Sequence, residues 1–368
     1  MTIVLYSLVG FISTFFLTFV NNRNDNMLAI KKNVKPNFNI SKKSLFVVLS
    51  FIPLFLLIAL RDISVGTDYQ SYVNAYYKIL EGTLSSSNWL GIGYIFICKL
   101  LSFIAGYNYI IVFSFFGFIT LFFVYKSILR NSKIPWLSLY LFLSTCLYYQ
   151  TFNQFRQMLA CTIVLYSIKY MEKKNLKMFI IIILIAASIH NSALVMLPFY
   201  FISKLEINKK TIFMYVIISL LMMFGFNIIE RFILYTNYDV YLNTNFNIER
   251  NLSSIINMFV RMILLIGCLL FSKRLIKQDP ESKYLYNLVI VCTIFQLLTI
   301  KSYLFARITT YFFIFYILLI PNIVYVFLKK NKILAMGVIL IIFAIYHYVY
   351  FNSAVALSSG YTVYKLSF

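Results

Sequence analysis

Residues 44–60, SLFVVLSFIPLFLLIAL, hold no ionisable side chain and are bounded by Lys42-Lys43 on one side and Arg61-Asp62 on the other. A helix rises about 1.5 Å per residue, so this run reaches roughly 25 Å, close to the thickness of a bilayer's hydrocarbon core. Water is not its solvent. Similar runs recur along all 368 residues, of which 61% are hydrophobic and only 12% charged, whereas soluble domains carry roughly 25% charge. The sequence therefore reads as an all-α polytopic integral membrane protein, a single transmembrane domain over residues 1–368.

Spans are expected at about 2–20, 44–60, 109–128, 135–150, 157–171, 177–190, 192–203, 211–234, 256–272, 285–302, 308–328 and 333–351, about twelve transmembrane helices in all. Residues 91–105 are apolar but short and carry Lys99, so a re-entrant or interfacial helix is expected there. That choice sets the parity of everything after it. With it, one face receives 20 Lys and 3 Arg and the other 4 Lys and 6 Arg. The Lys-rich face is then cytoplasmic, and the long loops 61–90 and 235–254 lie outside. The first run lacks a basic leader and a small-residue cleavage site, so it is expected to stay as a span. The net charge of +22 is divided among short clusters between apolar runs, which excludes a nucleic-acid partner. Five scattered cysteines and two distant histidines give no disulfide framework and no metal site.

Arginine concentrates on the outer face, at Arg61, Arg156, Arg231, Arg250, Arg261 and Arg307. Snorkelling, or pairing with Asp62, Glu230 or Glu249, explains any one of them as well as function does. As a set, planar forks of fixed charge suit a phosphorylated or pyrophosphorylated lipid head group. Four stretches stand out. The first outer loop opens Arg61-Asp62-Ile63-Ser64-Val65-Gly66-Thr67-Asp68-Tyr69, with two carboxylates able to take a proton from a sugar hydroxyl. Tyr69, Tyr72 and Tyr76 follow at helical spacing, one aromatic face suited either to an interfacial belt or to stacking on sugar rings. The second, from Tyr149 to Gln157, sets Tyr149, Asn153, Arg156 and Gln157 on one face at the mouth of a span. In the third, Ser188-Ile189-His190-Asn191-Ser192 interrupts an apolar run and offers His190 as a further candidate base. The fourth places Tyr303, Arg307 and Tyr311 on one helical face. Nucleotide-binding glycine loops and a nucleophile elbow are absent, so no cofactor is expected.

At these four stretches the chain resembles the EpsG family of Wzy-like membrane polymerases. The matching residues are Arg61 with Gly66-Thr67-Asp68-Tyr69, Phe155-Arg156-Gln157-Met158-Leu159-Ala160, Ile189-His190-Asn191-Ser192-Ala193-Leu194 with Leu197-Pro198, and Arg307 with Tyr311-Phe312, in the family's order. Where the family often carries Glu-x-Gly-aromatic, this chain has Gly91-Ile92-Gly93-Tyr94. The resemblance implies a polymerase of undecaprenyl-pyrophosphate-linked oligosaccharide repeat units at the outer face of the bacterial cytoplasmic membrane, building O-antigen, capsule or exopolysaccharide. It also implies an architecture like that of GT-C-type glycosyltransferases, no nucleotide sugar, no essential metal, and an accompanying chain-length regulator protein. In that mechanism Asp68, Asp62 or His190 takes the proton of an acceptor hydroxyl. Arg61, Arg156 and Arg307 hold the departing pyrophosphate, and Tyr69, Tyr72, Asn153, Gln157 and Tyr311 hold substrate. The rival readings are a flippase for the same lipid-linked sugar, another GT-C-type transferase, and a membrane acyltransferase.

Overall fold

The computed structural model describes residues 2–20, 40–84, 90–234, 250–302 and 304–367. Among them there is no strand, only one isolated bridge between Arg61 and Leu366. The helices in chain order begin with α1 (Thr2–Thr18), α2 (Ile40–Ala59), α3 (Tyr69–Leu80), α4 (Ile92–Ala105), α5 (Tyr109–Asn131) and α6 (Pro135–Ser144). Then come α7 (Leu147–Asn153), α8 (Phe155–Glu172), α9 (Leu176–Ile189), a 3₁₀ turn over Asn191–Met196 and α10 (Phe199–Ile202). The remainder comprises α11 (Lys209–Phe224), α12 (Phe226–Leu234), α13 (Arg250–Leu270), α14 (Ser272–Gln278), α15 (Ser282–Leu298), α16 (Leu304–Phe313), α17 (Tyr316–Phe351) and α18 (Ala354–Ser358).

Three stretches are long and apolar enough to cross a bilayer by themselves, Lys42–Ala59, Tyr109–Asn131 and Leu304–Val326, with several shorter apolar helices packed around them. Outward-facing Ile92, Phe103, Phe213, Phe224, Ile263 and Ile341 are exposed, a surface that water disfavours and lipid accepts. The chain is thus a multi-pass membrane protein. Expected spans and observed helices differ where the backbone breaks. The run 135–150 divides into α6 and α7 because Cys146 adopts a left-handed φ of 60°, a conformation that costs a non-glycine residue roughly 1–3 kcal/mol and stops the helix. In place of a continuous helix over 192–203 there is a 3₁₀ turn and one α-turn, since His190 is extended (φ −147°, ψ 107°) and Pro198 caps the last turn. Conversely, Tyr316–Phe351 is one helical run of 36 residues where two spans were expected, because the intervening Lys329-Lys330-Asn331-Lys332 holds neither Gly nor Pro.

One end of the bundle collects the loops. Thr2 Oγ1 accepts from the Tyr364 amide at 3.1 Å, and Tyr6 donates its hydroxyl to Tyr361 O at 2.9 Å. The amides of Asp62, Gly66 and Thr67 donate to the carbonyls of Lys365, Gly360 and Ser359 at 2.9, 3.2 and 3.2 Å. The start of α1, the end of α2 and segment 359–367 therefore meet at the same level. Both ends of α4 also lie there. Gly91 and Gly93 press on Ser188 at the end of α9, where a Cβ on either would stand 2.2 Å from a Ser188 oxygen, and Gly106 O accepts from Tyr76 at 2.5 Å. That contact leaves no room at position 91 for a side chain.

Candidate functional site at one end of the bundle

The loop that follows α2 is pinned to α7 by its glycine. Gly66 has φ +98°, and a Cβ there would stand 2.2 Å from Phe152 O, so only glycine allows this approach. Next along α7, Asn153 reaches the loop, its Oδ1 accepting from Asp68 N at 2.8 Å and Thr67 Oγ1 at 3.1 Å. Asp68 sits at the N-cap of α3, yet its side chain makes no capping bond, so the carboxylate is not spent on the helix. Burial pushes its pKa up, while the guanidiniums of Arg307 and Arg156 oppose the rise.

Arg156 projects from the first turn of α8. Its guanidinium carbon lies 5.4 Å from the Tyr72 ring centre and 5.5 Å from that of Tyr94, and Nη1 donates to Ile189 O at 3.4 Å. The preceding Phe155 anchors the turn against Tyr72 at 4.4 Å and Phe113 at 5.1 Å between ring centres. Just beyond α9, His190 Nδ1 stands 2.6 Å from Ser192 Oγ and 3.2 Å from Tyr311 OH. Two hydroxyls thus fix the ring, and Nε2 meets no hydrogen-bonding group among the described residues. On α16, Arg307 O accepts from Gln157 Nε2 at 2.8 Å, tying α16 to α8; the buried Gln157 Oε1 has no hydrogen-bond partner among the described residues. The charges of Arg156 and Arg307 act on both Asp68 and His190. Four chain segments therefore bring Asp68, Tyr72, Arg156, His190, Arg307 and Tyr311 together, with Asn153 and Gln157 as struts.

Other expected residues go elsewhere. Arg61 is only 2% exposed. Its guanidinium lies 4.0 Å over the Tyr69 ring and 5.2 Å from Phe152, with Nη1 3.5 Å from Thr151 O. It is a core cation held by aromatic faces, and its charge is not among those that act on Asp68 or His190. Asp62 accepts from Ser64 N at 2.9 Å and Ser64 Oγ at 2.6 Å, bonds that hold its carboxyl below the ordinary range. It shapes a turn and does not face the other candidates. Tyr69, Tyr72 and Tyr76 do share a face of α3, but that face is buried against the bundle. The Tyr69 ring meets Phe113 edge-on at 5.0 Å, so the tyrosines form no open platform for a sugar. Tyr303 and most of loop 235–254 lie outside the described residues. Sequence reasoning assigned no role to Ser192 or Tyr94, whose positions follow from the irregular turn after α9 and from the glycine contact of α4.

A metal-binding cluster is not found among the described residues, and all five cysteines are buried and free. What fold and site define together is a multi-pass helical membrane protein with a cationic, carboxylate-bearing cluster at one end of its bundle. A family model matches residues 44–366, nearly the whole chain, and the chain belongs to the EpsG family of Wzy-like polymerases. It is thus a membrane protein of the polysaccharide-polymerase type. No curated protein and no solved structure matches it.

Proposed function

We propose that this protein joins undecaprenyl-pyrophosphate-linked oligosaccharide repeat units into surface polysaccharide at the outer face of the bacterial cytoplasmic membrane. The observation that carries the reading is the convergence of Asp68, Arg156, His190 and Arg307 from four separate segments. A hydroxyl at the non-reducing end of one lipid-linked unit attacks the anomeric carbon at the reducing end of another chain. The new C–O bond forms as the bond to pyrophosphate breaks, and the hydroxyl proton passes to Asp68. Arg156 and Arg307 stabilise the charge gathering on the departing lipid pyrophosphate, and His190, held by Ser192 and Tyr311, presents Nε2 to the same oxygens. Reconstitution with lipid-linked repeat units and a chelator tests this. A polymer ladder supports the proposal, whereas transbilayer movement alone or a single transfer rejects it.

The arginines give a sharper test. Lysine keeps the charge and loses the fork, so Arg156→Lys and Arg307→Lys should each lower ladder intensity per inserted protein several-fold or more. Arg231, exposed on α12, should tolerate lysine. Wild-type ladders from both site variants would remove the pyrophosphate clamp.

The orientation follows from the same basic-residue split. Cysteine placed at the exposed Ser71 should react with an impermeant thiol reagent added to intact spheroplasts, and cysteine at the exposed Asn175 only after permeabilisation. Labelling of position 175 from outside would invert the topology and its re-entrant α4.

A further inference from the structure

We infer that a cavity beside the reactive cluster is a saccharide subsite, holding the sugar ring joined to the pyrophosphate. The identity of that sugar rests on the polymerase proposal; the presence of the subsite rests on the cavity. Its volume is about 90 Å³, several times the roughly 10–15 Å³ that one water needs. Gln150, Gln154, Asn257, Arg261, Gln296 and Arg307 line it, from the helices α7, α13, α15 and α16 and the α7–α8 junction. Gln296 is engaged internally, donating to Thr299 Oγ1 at 2.8 Å and Ser254 O at 3.4 Å. The carboxamides of Gln150, Gln154 and Asn257 make no side-chain hydrogen bond among the described residues. All three are half-buried at the cavity wall, so their amides are open to a ligand seated in it. An amide both donates and accepts, as a sugar hydroxyl does, whereas pyrophosphate only accepts.

Two further features fix the occupant. Arg261, some three turns into α13, lines it as well, its guanidinium 4.2 Å over the Phe313 ring and Nη1 3.7 Å from Cys292 Sγ. Arg307 lines the cavity and is tied through its carbonyl to Gln157, next to Arg156 on α8, so a ring seated among the amides shares an arginine with the reactive cluster.

The probe is the oligosaccharide that mild acid releases from the producing cells' lipid-linked pool, which carries no phosphate. Calorimetric titration of the full-length protein in detergent should show saturable binding, unaffected by excess inorganic pyrophosphate. Gln154→Leu and Asn257→Leu should each weaken it roughly threefold to tenfold, the share of one neutral hydrogen bond. The isosteric changes Gln154→Glu and Asn257→Asp keep the size and remove the donor, and should weaken it similarly if the leucine variants do not fold. Absence of binding to the wild type, displacement by pyrophosphate, or full binding by the folded variants would mean a hydrated vestibule and overturn the subsite. Binding as described with no ladder on reconstitution would leave the subsite standing and reject the polymerase.

Discussion

Asp68→Asn should abolish the polymer ladder, lowering the rate by about two to four orders of magnitude, the usual contribution of a positioned base. The amide keeps the shape and Asn153 still bonds the loop backbone, so protein should insert in normal amount. The pH dependence has a definite sign. Burial raises the Asp68 pKa above the ordinary value of about 3.9, so activity that needs the carboxylate falls on acidification at a higher pH than an exposed aspartate would give. Stability runs the other way. A folded pKa above the unfolded one means that protonation favours the folded state, and this stabilisation is lost as pH rises through the folded pKa. At neutral pH, Asp68→Asn should therefore melt at or above the wild-type temperature while making no polymer. A variant that loses polymer and melting temperature together would mark Asp68 as structural, and full-length polymer would pass the role of base to His190.

Gly66→Ala should be nearly as damaging, although one methyl group is all it adds. The new Cβ would stand 2.2 Å from Phe152 O and 2.8 Å from Phe152 C, on a residue at φ +98°. Those neighbours are backbone and cannot yield, and an L side chain is strained at that φ. The loop must lift from α7, taking Asp68 away from Asn153 and breaking the bonds to Ser359 and Gly360. Ladder intensity should drop to background, and brief proteolysis of spheroplasts should cut within residues 61–68. Gly82→Ala is the matched control, with φ +69° but nothing within 4 Å of its Cβ, and it should keep polymerising. A normal ladder and an uncut loop in Gly66→Ala would show that the close approach does not matter.

Apolar length made the helices legible in the sequence, and positions such as 109–128 differ from α5 (Tyr109–Asn131) only at the end. The breaks were not legible. Cys146 looks like any small apolar residue, and nothing local announces its left-handed turn. The site divides in the same way. Arg156, His190, Arg307 and Asp68 stood out because polar residues at the mouths of apolar runs need partners, and the fold gathers them. Arg61 carried the same signal, and only tertiary packing shows that its fork turns inward between Tyr69 and Phe152. Gln150 and Gln154 are four residues apart, as are Asn257 and Arg261, but the two pairs lie on distant segments, so their common cavity was beyond any local pattern along the chain.

Residues 359–367 fasten the loop that follows α2 at Leu60, Asp62, Gly66 and Thr67, yet they leave the ribosome after every membrane helix of the described chain. Synthesis at about 5–20 residues per second therefore keeps the nascent loop waiting until those last turns have been threaded into place. Its carboxylate cannot be set among the arginines before then. A chain cut short before residue 359 would be inserted but would lack the strap that sets its loop.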